Sequence, residues 1–176
     1  MKKINSFIVA LAATFFVQGP AFANQPSKLN DLEIAHVAYT ADNIDIAYAK
    51  LALQKSGTAE IRKFAETMIR DHTAVNEQAL ALLAKLKVEP QDNFLSASLT
   101  ENAGKILAEL GALSGADFDR RYAENELAYH QTVNNLVESE FIPNIENAEV
   151  KALFEAGLQI FKTHEEHAAH VVKSLK

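Results

Sequence analysis

The 176-residue chain contains no cysteine and no tryptophan, and only six glycines and four prolines. The absence of cysteine excludes disulfide bonds, thiolate metal ligands and a lipid anchor on a cysteine. Neither a Gly-x-Ser-x-Gly turn nor a glycine-rich phosphate loop occurs in the sequence, so the usual signatures of nucleophilic catalysis and of nucleotide binding are missing. No catalytic residue is therefore predicted, and the sequence does not identify an enzyme.

Basic residues are also in deficit, with 17 Lys and Arg against 23 Asp and Glu and a formal net charge of −6. Binding to phosphate backbones requires a basic stripe, and none is present. Nucleic acid is therefore not an expected partner, and protein partners cannot be inferred.

The chain has one long run without charge, from Ile4 to Val17, and it follows Lys2 and Lys3. The run is shorter than the about 20 residues that span a bilayer. The small-x-small pattern of residues 21–23 suits signal peptidase. We therefore expect a signal peptide over 1–23, with an uncleaved anchor as the alternative, followed by a single domain over 24–176 that has no transmembrane segment. The expected location is the periplasm.

Abundant Ala, Leu, Glu and Lys favour an all-α fold. Apolar residues recur every three or four positions, which predicts four long helices and one short helix. Capping boxes are predicted at Ser98 with Glu101 and, less well formed, at Ser114 with Asp117. The predicted helices cover about residues 30–55, 58–90, 99–110 (the short one), 116–141 and 148–174.

The connection between the second and third long helices is long enough to return along the bundle and carries the short helix. This predicts a ferritin-like four-helix bundle with one crossover, in which the second and third long helices run parallel.

Histidines occur on every long helix, and three of them are predicted to face inward. His72 and His164 lie on apolar seams, and His130 shares a face with Glu126. In parallel helices His72 and His130 have the same depth, and counting across the turns brings Asp42 and Asp45 near His72 and Glu126 level with His164. The predicted metal ligands are Asp45, His72, Glu126, His130 and His164. Such a set suits iron, zinc, manganese or copper.

A second interpretation is that these histidines only pack in the core. Tyr48, Asn76, Tyr122 and Asn134 would then be their hydrogen-bond partners. The paired Glu-x-x-His motifs of di-iron bundles are absent, because Ile69 and Phe161 occupy the glutamate positions before His72 and His164. The one Glu-x-x-His, Glu33 to His36, lies too near the start of its helix to join the other histidines. His167 and His170 are assigned to the solvent-exposed face.

The sequence contains the motifs Lys50-Leu51-Ala52, Phe64-Ala65, Met68-Ile69-Arg70-Asp71-His72, Phe118-Asp119-Arg120-Arg121-Tyr122 with His130, and Phe161 to His164. Together these motifs resemble a bacterial family of exported proteins called domain of unknown function 4142, often labelled putative outer-membrane proteins. The resemblance implies a ferritin-like bundle with recurring histidines at 72, 130 and 164, and no assigned activity. The chain differs from the usual pattern at Asp45, Glu126 and Tyr129.

Two functional hypotheses follow. The first is an exported bundle that binds a transition metal or acts in envelope stress. The alternative is a structural or interaction protein of the cell envelope. Association with the outer membrane is suggested by the family label alone, since an acidic chain lacks a basic amphipathic face.

Overall fold

The computed structural model describes residues 28–175, so the predicted signal peptide lies outside the described part of the chain. The described residues form an all-α bundle of five main helices. These are α1 (Asp31–Lys55), α2 (Ala59–Leu86), α3 (Phe94–Ala112), α4 (Gly115–Leu136) and α5 (Ala148–Ser174). A π-helical turn, Val137–Phe141, and one short turn of helix, Ile142–Asn144, extend α4 towards α5. Among residues 28–175, no helix has the length and apolar character needed to cross a membrane.

Contacts between helices give the direction of each one. At opposite ends of the α2–α5 interface, Ser174 Oγ donates to Glu60 Oε2 at 2.8 Å and Lys85 pairs with Glu149. Helices α2 and α5 are therefore antiparallel. Helices α4 and α5 follow each other through a short turn and are also antiparallel, so α2 and α4 run parallel. The predicted ferritin-like topology is confirmed.

Helix α3 is the crossover, and it returns along α1. Near its start the Asn93 amide donates to the Glu33 carbonyl at 3.0 Å, and at its end the Lys55 ammonium donates to the Gly111 carbonyl at 2.5 Å. The expected limits of 99–110 were too short, and the predicted capping box at Ser98 and Glu101 is wrong. Asn93 and Ser96 form the capping box instead. Leu95, one turn before Leu99, is buried, so the apolar seam begins earlier than predicted.

The predicted ends of the third long helix are only partly correct. Ser114 is its N-cap residue, but the Ser114 side chain makes no capping hydrogen bond. Pro143 does not end the helical segment, because it lies within the first two positions of the turn Ile142–Asn144, where a missing N–H is tolerated.

Two apolar clusters make up the core, and a polar layer separates them. One cluster contains Tyr48, Phe64, Met68 and Phe118, and the other contains Ile34, Leu95, Val137 and Leu158. We call the side chains at mid-bundle the central polar layer. They are Asp42, Asp45, His72, Glu126, His130 and His164, all buried.

Replacing Asn93 with Ala should destabilise the bundle, since the Asn93 side chain accepts from the backbone N–H groups of Leu95 and Ser96, each at 3.1 Å. We expect a loss of about 1–2 kcal/mol in the free energy of unfolding, measured with urea. Ser114→Ala is the matched control, because Ser114 occupies an N-cap without a capping bond. A loss for Ser114→Ala as large as that for Asn93→Ala would contradict this assignment.

Candidate metal centre

Three histidine rings from three helices meet in the central polar layer. The ring centroids of His72, His130 and His164 are 5.7, 5.6 and 5.3 Å apart, which is close to an equilateral triangle. The parallel course of α2 and α4 brings His72 and His130 to the same depth. The antiparallel α5 supplies His164. Phe161 stacks on the His72 ring at 4.5 Å with an angle of 8° between the planes, which fixes the orientation of that ring.

Each histidine has one ring nitrogen bonded to an acceptor away from the triangle. His72 Nδ1 lies 2.8 Å from Asp42 Oδ1, His130 Nδ1 lies 2.9 Å from the Glu126 carbonyl oxygen, and His164 Nε2 lies 3.0 Å from Asp71 Oδ2. Since carboxylates and carbonyls only accept, these ring nitrogens carry the protons and donate. In a neutral ring the opposite nitrogen then presents its lone pair. Bonds of this kind orient histidines that ligate metals.

The opposite nitrogens are buried and have no hydrogen-bond partner. They are His72 Nε2, His130 Nε2 and His164 Nδ1. The three side chains offer ligand nitrogens that all lie within 4.8 Å of one another. Three nitrogens that share one ion at about 2.1 Å lie about 3.4 to 3.6 Å apart. The rings would therefore have to rotate towards one another to complete a three-nitrogen site.

Asp45 lies beside two of these nitrogens. Its Oδ1 is 3.5 Å from His72 Nε2 and its Oδ2 is 3.6 Å from His130 Nε2. Neither oxygen has a hydrogen-bond partner. Glu126 is also fully buried, both its oxygens lack partners, and it forms a second close group with Asp45 and His130. Two adjacent carboxyl groups buried in a bundle core favour a shared proton or a cation nearby.

Burial and charge set the protonation of the layer. Burial, together with the neighbouring Asp45, holds the pKa of Glu126 well above its usual range. Burial lowers the pKa of His130, and it lowers the pKa of His164 to about 4. These two rings are therefore neutral near pH 7, as ligands must be. Burial opposes a proton on His72 as well, but the charges of Asp45 and Asp42 outweigh it and raise the pKa of His72. A metal ion would displace that proton.

The structure places the five residues that the sequence predicted in two groups that share His130. One group is His72, His130 and His164, and the other is Asp45, Glu126 and His130. The partners expected from the packing interpretation are not used, since Asn134 binds the Phe161 carbonyl and Glu165 rather than a histidine. The remaining histidines lie outside the layer. His36 pairs with Asp92, and His170 is exposed beside Glu60.

Sequence reasoning missed Asp71 as the partner of His164. Adjacent helix residues point about 100° apart, which separates Asp71 from His72. The Asp71 side chain reaches His164 because of the way α2 packs against α5. The sequence around Asp71 does not indicate this packing.

Comparison with known proteins identifies the family. The profile of the family described as Domain of unknown function (DUF4142) matches residues 17–171, so the chain belongs to this family. No curated protein sequence matches the chain. Among solved structures the chain is similar to one described as CopM in the Cu(II)-bound form, with 16% sequence identity and a TM-score of 0.64. The likeness covers 85% of this chain and 100% of that chain, and it supports the helical fold.

Glu126→Gln should change how stability depends on pH in the presence of a chelator. Because the pKa of Glu126 is higher in the folded state than its reference value of 4.5, the folded protein keeps a proton that the unfolded chain releases. That contribution is complete below about pH 4.5 and is lost as the pH rises towards the folded pKa. The variant should therefore gain more than about 1 kcal/mol relative to the natural protein between pH 5 and pH 8.

Urea denaturation at several pH values measures this difference. Glu124→Gln removes an exposed carboxyl from the same helix and is the matched control. If the free energies of unfolding of the natural protein and Glu126→Gln change with pH in the same way, Glu126 holds no proton in the folded state that it releases on unfolding.

Proposed function

We propose that this member of the DUF4142 family binds one divalent transition-metal ion in the central polar layer. His72, His130 and His164 supply nitrogen ligands, and Asp45 supplies an oxygen ligand. One observation carries the proposal. Each ring is held by a hydrogen bond on its outer nitrogen, while its inner nitrogen is buried without a partner.

The distances around Asp45 support four-coordinate binding. Two ligand atoms at about 2.1 Å from a tetrahedral ion lie about 3.4 Å apart. Asp45 Oδ1 lies 3.5 Å from His72 Nε2, and Asp45 Oδ2 lies 3.6 Å from His130 Nε2. Each Asp45 oxygen is therefore near this distance from one of the two nitrogens. An ion between these atoms would also satisfy buried carboxylate oxygens that otherwise lack partners.

Charge and ligand type favour a divalent ion. The buried carboxyl groups of Asp42, Asp45 and Glu126 lie beside the three imidazoles, so a divalent cation gains more electrostatic stabilisation there than a monovalent one. The chain has no cysteine and two methionines, Met1 and the buried Met68, so it offers few soft ligands for Cu(I). Imidazole suits Cu(II) and Zn(II), and the intrinsic order of affinities places Cu(II) first. The structural likeness to a protein solved with Cu(II) agrees with this choice.

The interpretation of the histidines as packing residues accounts less well for the layer. A histidine that serves only the core normally has its polar atoms satisfied by protein groups. Three inward nitrogens and four carboxylate oxygens from Asp45 and Glu126 remain without hydrogen bonds here.

His72→Ala tests the metal site. An ion that binds only the folded state stabilises it by about 2.7 kcal/mol at a concentration one hundred times its Kd. Added Cu²⁺ or Zn²⁺ should therefore raise the melting temperature of the natural protein above its value in chelator, and this rise should be lost in His72→Ala. Thermal melts followed by circular dichroism measure both.

The matched control is His170→Ala, because the His170 side chain is exposed and lies outside the layer. This variant should keep the full response to metal. If His72→Ala and the natural protein respond equally, or if neither responds, the packing interpretation is correct.

We also propose that the protein is exported and cleaved before Asn24, supported by the charged start, the uncharged run and the small residues at 21 and 23. Mass spectrometry of the cell-envelope fraction should find a chain that begins at Asn24. Recovery of the full-length chain from the cytoplasm would contradict export.

A further inference from the structure

The five candidate ligands are closed off from solvent. The side chains of Asp45 and Glu126 are 0% exposed, and those of His72, His130 and His164 are 5%, 3% and 4% exposed. An ion cannot reach these side chains while all of them keep their positions. At least one must move, and the rate of binding then depends on that movement rather than on the completed ligand set.

The three outer hydrogen bonds differ in their access to solvent. Asp42, the partner of His72, is buried, and the partner of His130 is the backbone carbonyl of the buried Glu126. Asp71, the partner of His164, has a side chain that is 24% exposed. It is therefore the outer partner that water and dissolved ions can reach.

Asp71 also has a counter-ion at the surface. Arg70 donates to it through Nε at 2.7 Å and through Nη2 at 3.0 Å, and the Arg70 side chain is 70% exposed. The two hydrogen bonds pair the Asp71 carboxylate with a fixed positive charge at the surface. Arg70, Asp71 and His164 thus form a continuous polar path from solvent to the central polar layer, between α2 and α5.

We propose that metal ions enter and leave the layer along this path, with Asp71 as the first ligand and His164 as the side chain that moves. The proposal rests on the metal site proposed above. An ionised, partly exposed carboxylate attracts a divalent cation, and His164 places one ring nitrogen beside that carboxylate and the other in the layer. Arg70 opposes uptake, because it occupies both Asp71 oxygens and repels an approaching cation.

Arg70→Gln tests whether the Arg70 guanidinium controls the rates at which metal enters and leaves the layer. Stopped-flow fluorescence of a metal-sensitive dye competing for Cu²⁺ gives the association rate, the dissociation rate and the Kd. Without the guanidinium, both rates should rise on the order of threefold to tenfold. The Kd should stay nearly constant, since the completed site is unchanged.

Arg121→Gln is the matched control. Arg121 makes the same two-bond contact with Glu109, at 2.6 and 3.0 Å, and its replacement changes the net charge equally. It should leave both rates close to those of the natural protein. Equal acceleration in the two variants would show general electrostatic steering and would overturn the proposed path.

Asp71→Asn provides the opposite change. The amide oxygen of the substituted side chain can still accept a hydrogen bond from His164 Nε2. The negative charge that attracts the ion is gone, however, so the association rate should fall on the order of threefold to tenfold. An unchanged association rate with faster dissociation would mean that Asp71 only orients His164, which overturns the path. If the natural protein binds no Cu²⁺ at all, the proposed function itself fails.

Discussion

The burial of Asp45 and Glu126 side by side, without hydrogen-bond partners, is the constraint on which the rest of the structure depends. Removing an unpaired carboxylate from water costs several kcal/mol, and two of them together repel each other. Apolar clusters lie above and below the layer. The bundle therefore carries a local instability at its centre, and a proton on Glu126 or a cation among the ligands relieves it.

The topology is what gathers these groups. Helices α2 and α4 must run parallel for His72 and His130 to meet, and that requires a connection long enough to cover the height of the bundle. Helix α3 provides it, held at one end by Asn93 and at the other by the contact between Lys55 and Gly111. In a bundle with only short connections, α2 and α4 would be antiparallel, and the two histidines would meet only if each lay at the middle of its helix.

Helical periodicity was sufficient to predict that most residues of the central polar layer face inward. His72 and His164 fall on apolar seams, and Glu126 and His130 are one turn apart, so their inward direction follows from 3.6 residues per turn. The parallel course of α2 and α4 followed from the length of the connection. The limits of α3 were harder to predict, because Ser98 and Glu101 have the spacing of a capping box but lie inside a helix that Asn93 caps. The contact between Asp71 and His164 depends on the packing of α2 against α5. The apolar periodicity of either helix alone does not predict how the two helices pack.

The proton on Glu126 and the proposed ion act on the same charges, so they compete. In the metal-free protein the raised pKa of Glu126 reduces the charge of the layer, and the raised pKa of His72 keeps an imidazolium beside Asp42 and Asp45. An ion that binds the imidazole nitrogens must displace the His72 proton, and its positive charge favours release of the Glu126 proton as well. Metal affinity should then weaken as the pH falls, because each proton returned to the layer opposes the ion. In the metal-free protein the outer bonds to Asp42, to the Glu126 carbonyl and to Asp71 already hold the three rings, so an exchange of protons for metal would need little rearrangement of the backbone.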